Sequence, residues 1–341
     1  MTKTILILGA FGFRENRLSG QTIKTRNIYD LIKKNQSEDN VISFDTQEIK
    51  YSKTKIFSLF RSLFSCDTII YLPAYNNLKY FFPIVYTISR IKKVPIVYVV
   101  VGGWLADYLK NLPLHTRFLR KIHKILVQTH FLKERLNREY NFKNVEVLHN
   151  FRSNDFNPNF DYTNERLKLV FMARINKLKG LETIFSFAGL IKERNLNIDI
   201  DFYGPIVDTD NDYFGANVAK YDFVTYHGNL APDRIYETLS KYDLLILPTQ
   251  YYTEGFPGSV LDAYISGIPV IVTKWMYATE FVDEGITGFI VPFENPQEEF
   301  NERILDIYFH REKLKELKIN AFKKSLDFSE EKAWEILEKV L

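Results

Sequence analysis

Short aliphatic and β-branched runs alternate along the chain with stretches of helical patterning. The runs at Thr4–Gly9, 41–44, Thr68–Leu72, 95–101, Lys124–Val127 and 145–148 read as strands. Helical stretches at 20–34 and around 52–64, 77–92 and 130–140 separate them. The segment 151–165, FRSNDFNPNFDYTNE, is polar, carries Pro158 and has no periodicity, which places a linker at 153–165. The alternation then restarts, with strands at 167–173, Ile198–Tyr203, 223–226, Leu244–Leu247, Val270–Thr273 and Gly288–Val291, and a helix over 178–194. From about Pro296 onward the chain is charged and helical. Strands alternating with helices predict parallel sheets flanked by helices. Two such halves, 1–152 and 166–325, make a cleft between them the natural ligand site.

Composition narrows the class. At 46% hydrophobic and 26% charged, the 341-residue chain has the apolar content to bury a core, which excludes disorder. The single cysteine, Cys66, rules out an intrachain disulfide and a cysteine-based zinc cluster, and a reducing, cytosolic compartment is expected. The longest uncharged stretch, 94–106, has 13 residues, short of the ~20 that a spanning helix needs. The opening MTKTILILGAFGFRE lacks a small-residue cleavage site and reads as a first strand followed by a turn, not a secretion signal.

The net charge of +3 hides an asymmetry: residues 1–165 carry 25 basic and 14 acidic side chains, residues 166–341 carry 20 and 28. Halves of opposite sign suggest different partners. The positive excess is concentrated in 51–146, with 16 basic and 5 acidic residues. No nucleic-acid recognition motif accompanies it, so nucleic acid is not expected as a partner. An anionic membrane surface is a second reading and a solvated face a third.

In parallel sheets, ligands bind beyond the carboxyl ends of the strands. Two segments in such places carry candidate chemistry. The first, TQYYTEGFPGSVLDAY, runs from Thr249 to Tyr264. A helix beginning near Gly258 would offer unpaired amides and a partial positive charge to phosphate, and Gly255 and Gly258 let a ligand approach the backbone. Glu254 and Asp262 flank this cradle, and carboxylates accept sugar hydroxyls. The second, from Ala173 to Gly180, places Arg174 and Lys179 where they could converge on a diphosphate. Taken singly, each also fits an ordinary turn between strand and helix.

Together they resemble a family 4 glycosyltransferase of the GT-B fold: α/β, with two Rossmann-like doubly wound domains and a cleft between them. The family's Glu, seven residues, Glu pattern is matched by Glu254, with Asp262 in the second place. Its Arg, four residues, Lys-Gly pattern is matched by Arg174, Lys179 and Gly180. Flanking text agrees at Gly267-Ile268-Pro269-Val270-Ile271, Glu284-Gly285 and Thr287-Gly288-Phe289, and Asn150 stands where the family usually has an asparagine.

The resemblance implies a retaining, metal-independent hexosyltransferase that uses a nucleotide-sugar, a UDP-sugar by family frequency, as a substrate and needs no cofactor. Arg174, Lys179 and Glu254 would be the catalytic set. Gly204, Gly255, Phe256, Pro257, Gly258 and Asp262 would bind the donor. Ser19, Gly20, Gln21, Thr22, Gly103 and Trp104 would line the acceptor and phosphate loop of the first domain. The acceptor would be a glycan or lipid-linked saccharide in capsule, O-antigen or exopolysaccharide synthesis. Segment 326–341 would pack back on the first domain. Three positions depart from the family: Asp262 is one methylene shorter than Glu, Ser19-Gly20 replaces a Gly-Gly pair, and 99–104 lacks the usual histidine.

Other patterns are weaker. Asp208-Thr209-Asp210 contains Asp-x-Asp but sits in a polar loop, so no metal site is expected. Gly9-Ala10-Phe11-Gly12 is not a dinucleotide fingerprint. The scattered histidines suggest no metal ligation, and Cys66 reads as a packing residue. In 51–65 the apolar side chains Ile56, Leu59, Phe60, Leu63 and Phe64 recur at helical spacing among Lys53, Lys55 and Arg61, and Lys92 and Lys93 follow a second aromatic stretch. Such a helix either faces the core or lies in a membrane interface, which would make the protein cytoplasmic and peripheral to the membrane. A sugar-nucleotide epimerase of the same fold and a non-catalytic nucleotide-sugar-binding or scaffold protein are the alternative functions.

Overall fold

The computed structural model describes residues 3–14, 19–36, 39–73, 75–161 and 164–341. Contacts divide the chain into two units, Met1–Ser153 with Ser329–Leu341, and Asn154–Phe328. Each is built on a six-stranded sheet in which every pairing is parallel. The expected α/β architecture is what the chain adopts.

In the first unit the strands are β1 (Thr4–Gly9), β2 (Asn40–Asp45), β3 (Thr68–Leu72), β4 (Ile96–Val99), β5 (Lys124–Val127) and β6 (Val145–Val147), in the order β2-β1-β3-β4-β5-β6. Only the β1-to-β2 connection runs toward the β2 edge. The right-handed crossover rule therefore puts its helix, Gly20–Asn35, on one face and the remaining crossover helices on the other. One helix cannot cover a face this wide. Helix Glu330–Glu338 completes the layer, with Ala333, Leu337 and Val340 packed into one core with Ile28, Leu31, Ile32, Ile5, Ile7, Ile70, Val97 and Val99. Lys34 also pairs with Glu330 at 3.0 Å.

In the second unit the strands are β7 (Leu167–Met172), β8 (Ile198–Tyr203), β9 (Val224–Tyr226), β10 (Leu244–Leu247), β11 (Val270–Thr273) and β12 (Gly288–Val291), ordered β12-β11-β10-β7-β8-β9. The chain reverses its direction of travel across the sheet between β7 and β10, which lie side by side. Beneath their amino ends sits a buried charge cluster. The Asp243 carboxylate accepts from Lys168 N–H (3.0 Å), Asn164 Nδ2 (3.0 Å), Lys318 Nζ (3.1 Å) and Arg311 (3.4 Å).

Several boundaries differ from the sequence expectation. The helix expected over 178–194 is a 3-10 turn, Lys177–Lys179, and a helix, Leu181–Arg194, split at Gly180 in the left-handed region at φ +86°. The stretch 77–92 is two helices, Tyr75–Tyr80 and Phe82–Lys92, with Pro83 starting the second. Helices Leu105–Leu109, Pro113–Leu119, Asn211–Val218 and Ile235–Leu239 are too short for their periodicity to stand out. The linker region is not idle. Pro158 and Phe160 lie so close to Gly267 that a side chain there would meet them at 3.0 Å.

Lys24, on helix Gly20–Asn35, is buried and donates to the carbonyls of Leu148 (3.0 Å) and His149 (3.5 Å). Burial, and then the charge of Arg152, lower its pKa from 10.5 to about 7. Between those two values the unfolded chain holds the extra proton, so stability from this group rises with pH across the window and is lowest below about 7. Lys24→Met removes that slope. In urea unfolding at pH about 6.5 and about 9, the stability difference moves in favour of wild type at the higher pH. A difference independent of pH would show that Lys24 titrates normally in the fold.

Candidate active site

In an open parallel sheet, the crevice beyond the carboxyl ends of two strands at which the chain reverses direction is the preferred ligand position. In the second unit those strands are β7 and β10. Ala173 to Gly180 follows β7 and Thr249 to Glu254 follows β10, so both candidate segments meet there.

Their conformations depend on each other. A side chain on Gly180 would come within 2.0 Å of the Pro248 carbonyl oxygen, so only glycine allows this approach. Gln250 N–H donates to the Leu178 carbonyl (2.8 Å). Thr273 Oγ1 donates to the Thr249 carbonyl and Met276 N–H to the Tyr252 carbonyl (2.9 Å), which pins the β10 loop from its other side. Held this way, Lys179 Nζ pairs with the Glu254 carboxylate and lies 5.0 Å from the centre of the Tyr251 ring. The two charged side chains are 14% and 21% exposed, low enough to strengthen their fields and open enough for a ligand to reach them. Tyr251, absent from the sequence-derived set, thus belongs to the site.

Arg174 is exposed just past β7. Gly204 follows β8 at φ +133°, and a side chain there would come within 2.0 Å of the Ala173 carbonyl oxygen. The close approach of these two chain segments brings Gly204 beside Arg174. Phe256 is 2% exposed and stacks on Phe281 at 4.0 Å and 4°, so only its backbone is offered to a ligand. Pro257 is the N-cap of helix Gly258–Ile265, and Gly255 is buried beside it. The Gly258 and Ser259 amides have no partner among the described residues. Asp262 lies one turn into this helix and is buried.

Asp208 and Asp210 are not brought together as a cation site. Asp210 is buried and accepts from Lys177 N–H at 2.9 Å, which fixes the turn that carries Lys179, while Asp208 is exposed. Among the described residues no group of three or more His, Cys, Asp or Glu side chains could hold a metal ion. A polar chain unforeseen in the sequence also lies on this sheet. Tyr242 donates to Asp201 (2.7 Å) and contacts Tyr203 (3.1 Å), and His227 stacks on Tyr203 and reaches Asp201 at 3.1 Å. Burial pushes the Tyr242 hydroxyl well above its ordinary pKa.

In the first unit, Ser19 and Thr22 form a capping box at the start of helix Gly20–Asn35, and Gln21 Nε2 donates to the Leu72 carbonyl (3.0 Å). Ser19 and Thr22 therefore close the start of the helix, Gln21 ties it to the end of β3, and Gly20 is exposed. Gly102 N–H donates to Gln128 Oε1 (3.1 Å), whose amide donates to Asn150 Oδ1 (2.8 Å). Gly103 is buried, and Trp104 donates to the Val101 carbonyl (2.8 Å). Trp104, Gln128 and Asn150 thus gather at the carboxyl ends of β4, β5 and β6. Cys66 is buried, and burial pushes its thiol up to about 11, as suits a packing residue.

Known proteins share this fold. A sucrose-phosphate synthase from Thermosynechococcus elongatus superposes with TM-score 0.78 at 13% identity, covering 99% of this chain and 98% of that one. Anabaena Alr3699/HepE in complex with UDP-glucose superposes with TM-score 0.75 at 15% identity, covering 99% and 100%. At such identities the likeness establishes the fold, which is GT-B. A D-inositol 3-phosphate glycosyltransferase of Paenarthrobacter aurescens (strain TC1) is 23% identical over 145 residues, 41% of this chain and 35% of its own. An uncharacterized 41.2 kDa protein in the cps region of Klebsiella pneumoniae is 26% identical over 167 residues, 47% and 44%. The chain thus matches less than half the length of these curated relatives. The model of the glycosyl transferases group 1 family matches residues 154–324, half of the chain, and the protein belongs to that family.

Proposed function

We propose that the protein is a retaining glycosyltransferase of family 4 that moves a hexose-type sugar from a UDP-sugar to a glycan or lipid-linked saccharide, in the synthesis of a surface polysaccharide in the cytoplasm. The observation that carries this reading is the grouping of Lys179, Glu254 and Tyr251 where β7 and β10 end side by side. Lys179 and Arg174 would hold the donor diphosphate and stabilise the charge it gains on leaving. The free amides of Gly258 and Ser259 would take further phosphate oxygens. Glu254 would accept hydroxyls of the donor sugar, and Asp262 those of the ribose. The bond from the sugar's anomeric carbon to the phosphate oxygen breaks as the acceptor oxygen bonds that carbon from the same face, and the acceptor's proton passes to the departing phosphate. Cationic side chains in this role make a metal unnecessary. The UDP-glucose bound by the Anabaena protein and the cps-region relative support the donor class and the pathway.

A thermal-shift panel of UDP, GDP, ADP, CMP and NAD, with and without magnesium, tests the donor site. A ligand at ~100 times its dissociation constant adds about 2.7 kcal/mol, worth several degrees for a unit of this size. UDP should stabilise most, and equally without magnesium. A response confined to NAD, or to none of the panel, would refute the reading.

A further inference from the structure

Helices Lys55–Ser65 and Phe82–Lys92 pack against each other in the layer opposite Gly20–Asn35. On the first helix Leu59 and Leu63 are buried, whereas Phe57 is 75%, Phe60 38% and Phe64 51% exposed. These three phenylalanines stand at the i, i+3, i+7 spacing of one stripe. On the second helix Phe82, Val85 and Ile88 point inward, whereas Ile84 and Ile91, seven residues apart, are 44% and 72% exposed. The first helix meets the core with its leucines and leaves its phenylalanines in solvent, and the second buries Phe82 and Tyr86 and leaves Ile84 and Ile91 in solvent. Patches of this kind mark an interaction surface.

The charge around the stripes identifies the partner. Lys53, Lys55, Arg61, Lys92 and Lys93 are all exposed. From 51 to 106 the chain carries seven basic residues and one acid, Asp67. A second copy of the same face would bring like charges together, which disfavours self-association. Protruding rings bordered by cations match an anionic bilayer, where apolar side chains enter the interface and lysines stay at the headgroups. Among the described residues no helix is long and apolar enough to cross a membrane, so the contact is peripheral.

We propose that the outward side of helices Lys55–Ser65 and Phe82–Lys92 docks the protein on an anionic lipid bilayer, with Phe57 and Phe64 inserted and Lys53, Lys55, Arg61, Lys92 and Lys93 at the headgroups. Co-sedimentation of the full chain with vesicles of phosphatidylcholine, alone or with one-third phosphatidylglycerol, tests this. The chain pellets with the anionic vesicles, is released as salt rises, and stays in the supernatant when the vesicles are neutral. Phe57→Ser/Phe64→Ser lowers partition more than about tenfold at an unchanged melting temperature, because both side chains are exposed in the fold. Lys53→Gln/Lys55→Gln/Arg61→Gln lowers it roughly fivefold per charge removed. Absence of binding to anionic vesicles overturns the proposal. So does equal binding to neutral vesicles, or full binding by the phenylalanine variant. Concentration-dependent dimerisation abolished by that variant would assign the face to a second copy instead. Heparin binding as tight as vesicle binding would reduce the face to a polyanion site.

Discussion

Lys179→Ala is expected to lower the proposed sugar transfer by about 10²–10³-fold, the usual loss when one preorganised charge facing a leaving group is removed. Three features concentrate the effect on Lys179. Its turn is held by Asp210 and by the contact of Gly180 with Pro248, so its direction is set before any ligand arrives. Its side chain is only 14% exposed, which raises the strength of its field at a phosphate. Glu254 pairs with the ammonium, and the centre of the Tyr251 ring lies 5.0 Å from it. Lys179→Arg does not restore the rate, because a planar fork cannot take the place of a compact ammonium beside a carboxylate and a ring. The melting temperature changes little, since the loss leaves Glu254 able to reach water. A variant that transfers sugar at near the wild-type rate would remove Lys179 from the catalytic set, whereas lost transfer with lost fold would point to a structural role. Binding of free UDP by the variant separates the two further: a diphosphate contact predicts weaker UDP affinity in a folded protein.

Asp243→Ala has its effect on stability instead. The carboxylate is 1% exposed and faces Lys318, itself 6% exposed, along with three other donors. Removing it leaves a buried ammonium without its partner, which costs about 3–5 kcal/mol. For a unit of this size that lowers the melting temperature by about 10 °C. The double change Asp243→Leu/Lys318→Met restores part of the loss, because it removes the unpaired ammonium, while Lys168 N–H, Asn164 and Arg311 still lack their shared acceptor. Asp243 lies at the amino end of β10 and the candidate site at its carboxyl end, so nucleotide affinity per folded molecule stays near wild type. Urea unfolding of the two variants beside wild type measures this. A single variant as stable as wild type would mean that Lys318 finds another partner or sheds its proton.

The strands are legible in the sequence because strands covered on both faces leave unbroken apolar runs, as in Thr68–Leu72 and Val270–Thr273. The positions after β7 and β10 are legible for the same reason: strand ends announce where a ligand can sit. Helix boundaries are harder. Gly180 splits its helix because of Pro248, a residue 68 positions away that no local pattern reveals. The Lys179–Glu254 contact is likewise set by the adjacency of β7 and β10, although both residues stand out individually. The cluster around Asp243 draws on Asn164, Lys168, Arg311 and Lys318, none of which carries a motif. For helix Lys55–Ser65, spacing alone leaves core-facing and interfacial readings open. The side-chain positions show that the helix divides: leucines go to the core and phenylalanines to solvent.

The helix Glu330–Glu338 carries a consequence for how the chain matures. The first unit needs Ala333, Leu337 and Val340 to close its core, yet these residues follow the whole of the second unit in the chain. During synthesis, residues 1–153 emerge first with one apolar face of their sheet half bare, and the second unit is complete before they are. At ~5–20 residues per second that interval is roughly 10–40 s. The earlier half therefore cannot close its core until the later half has been made, and it is the one open to chaperones in that interval.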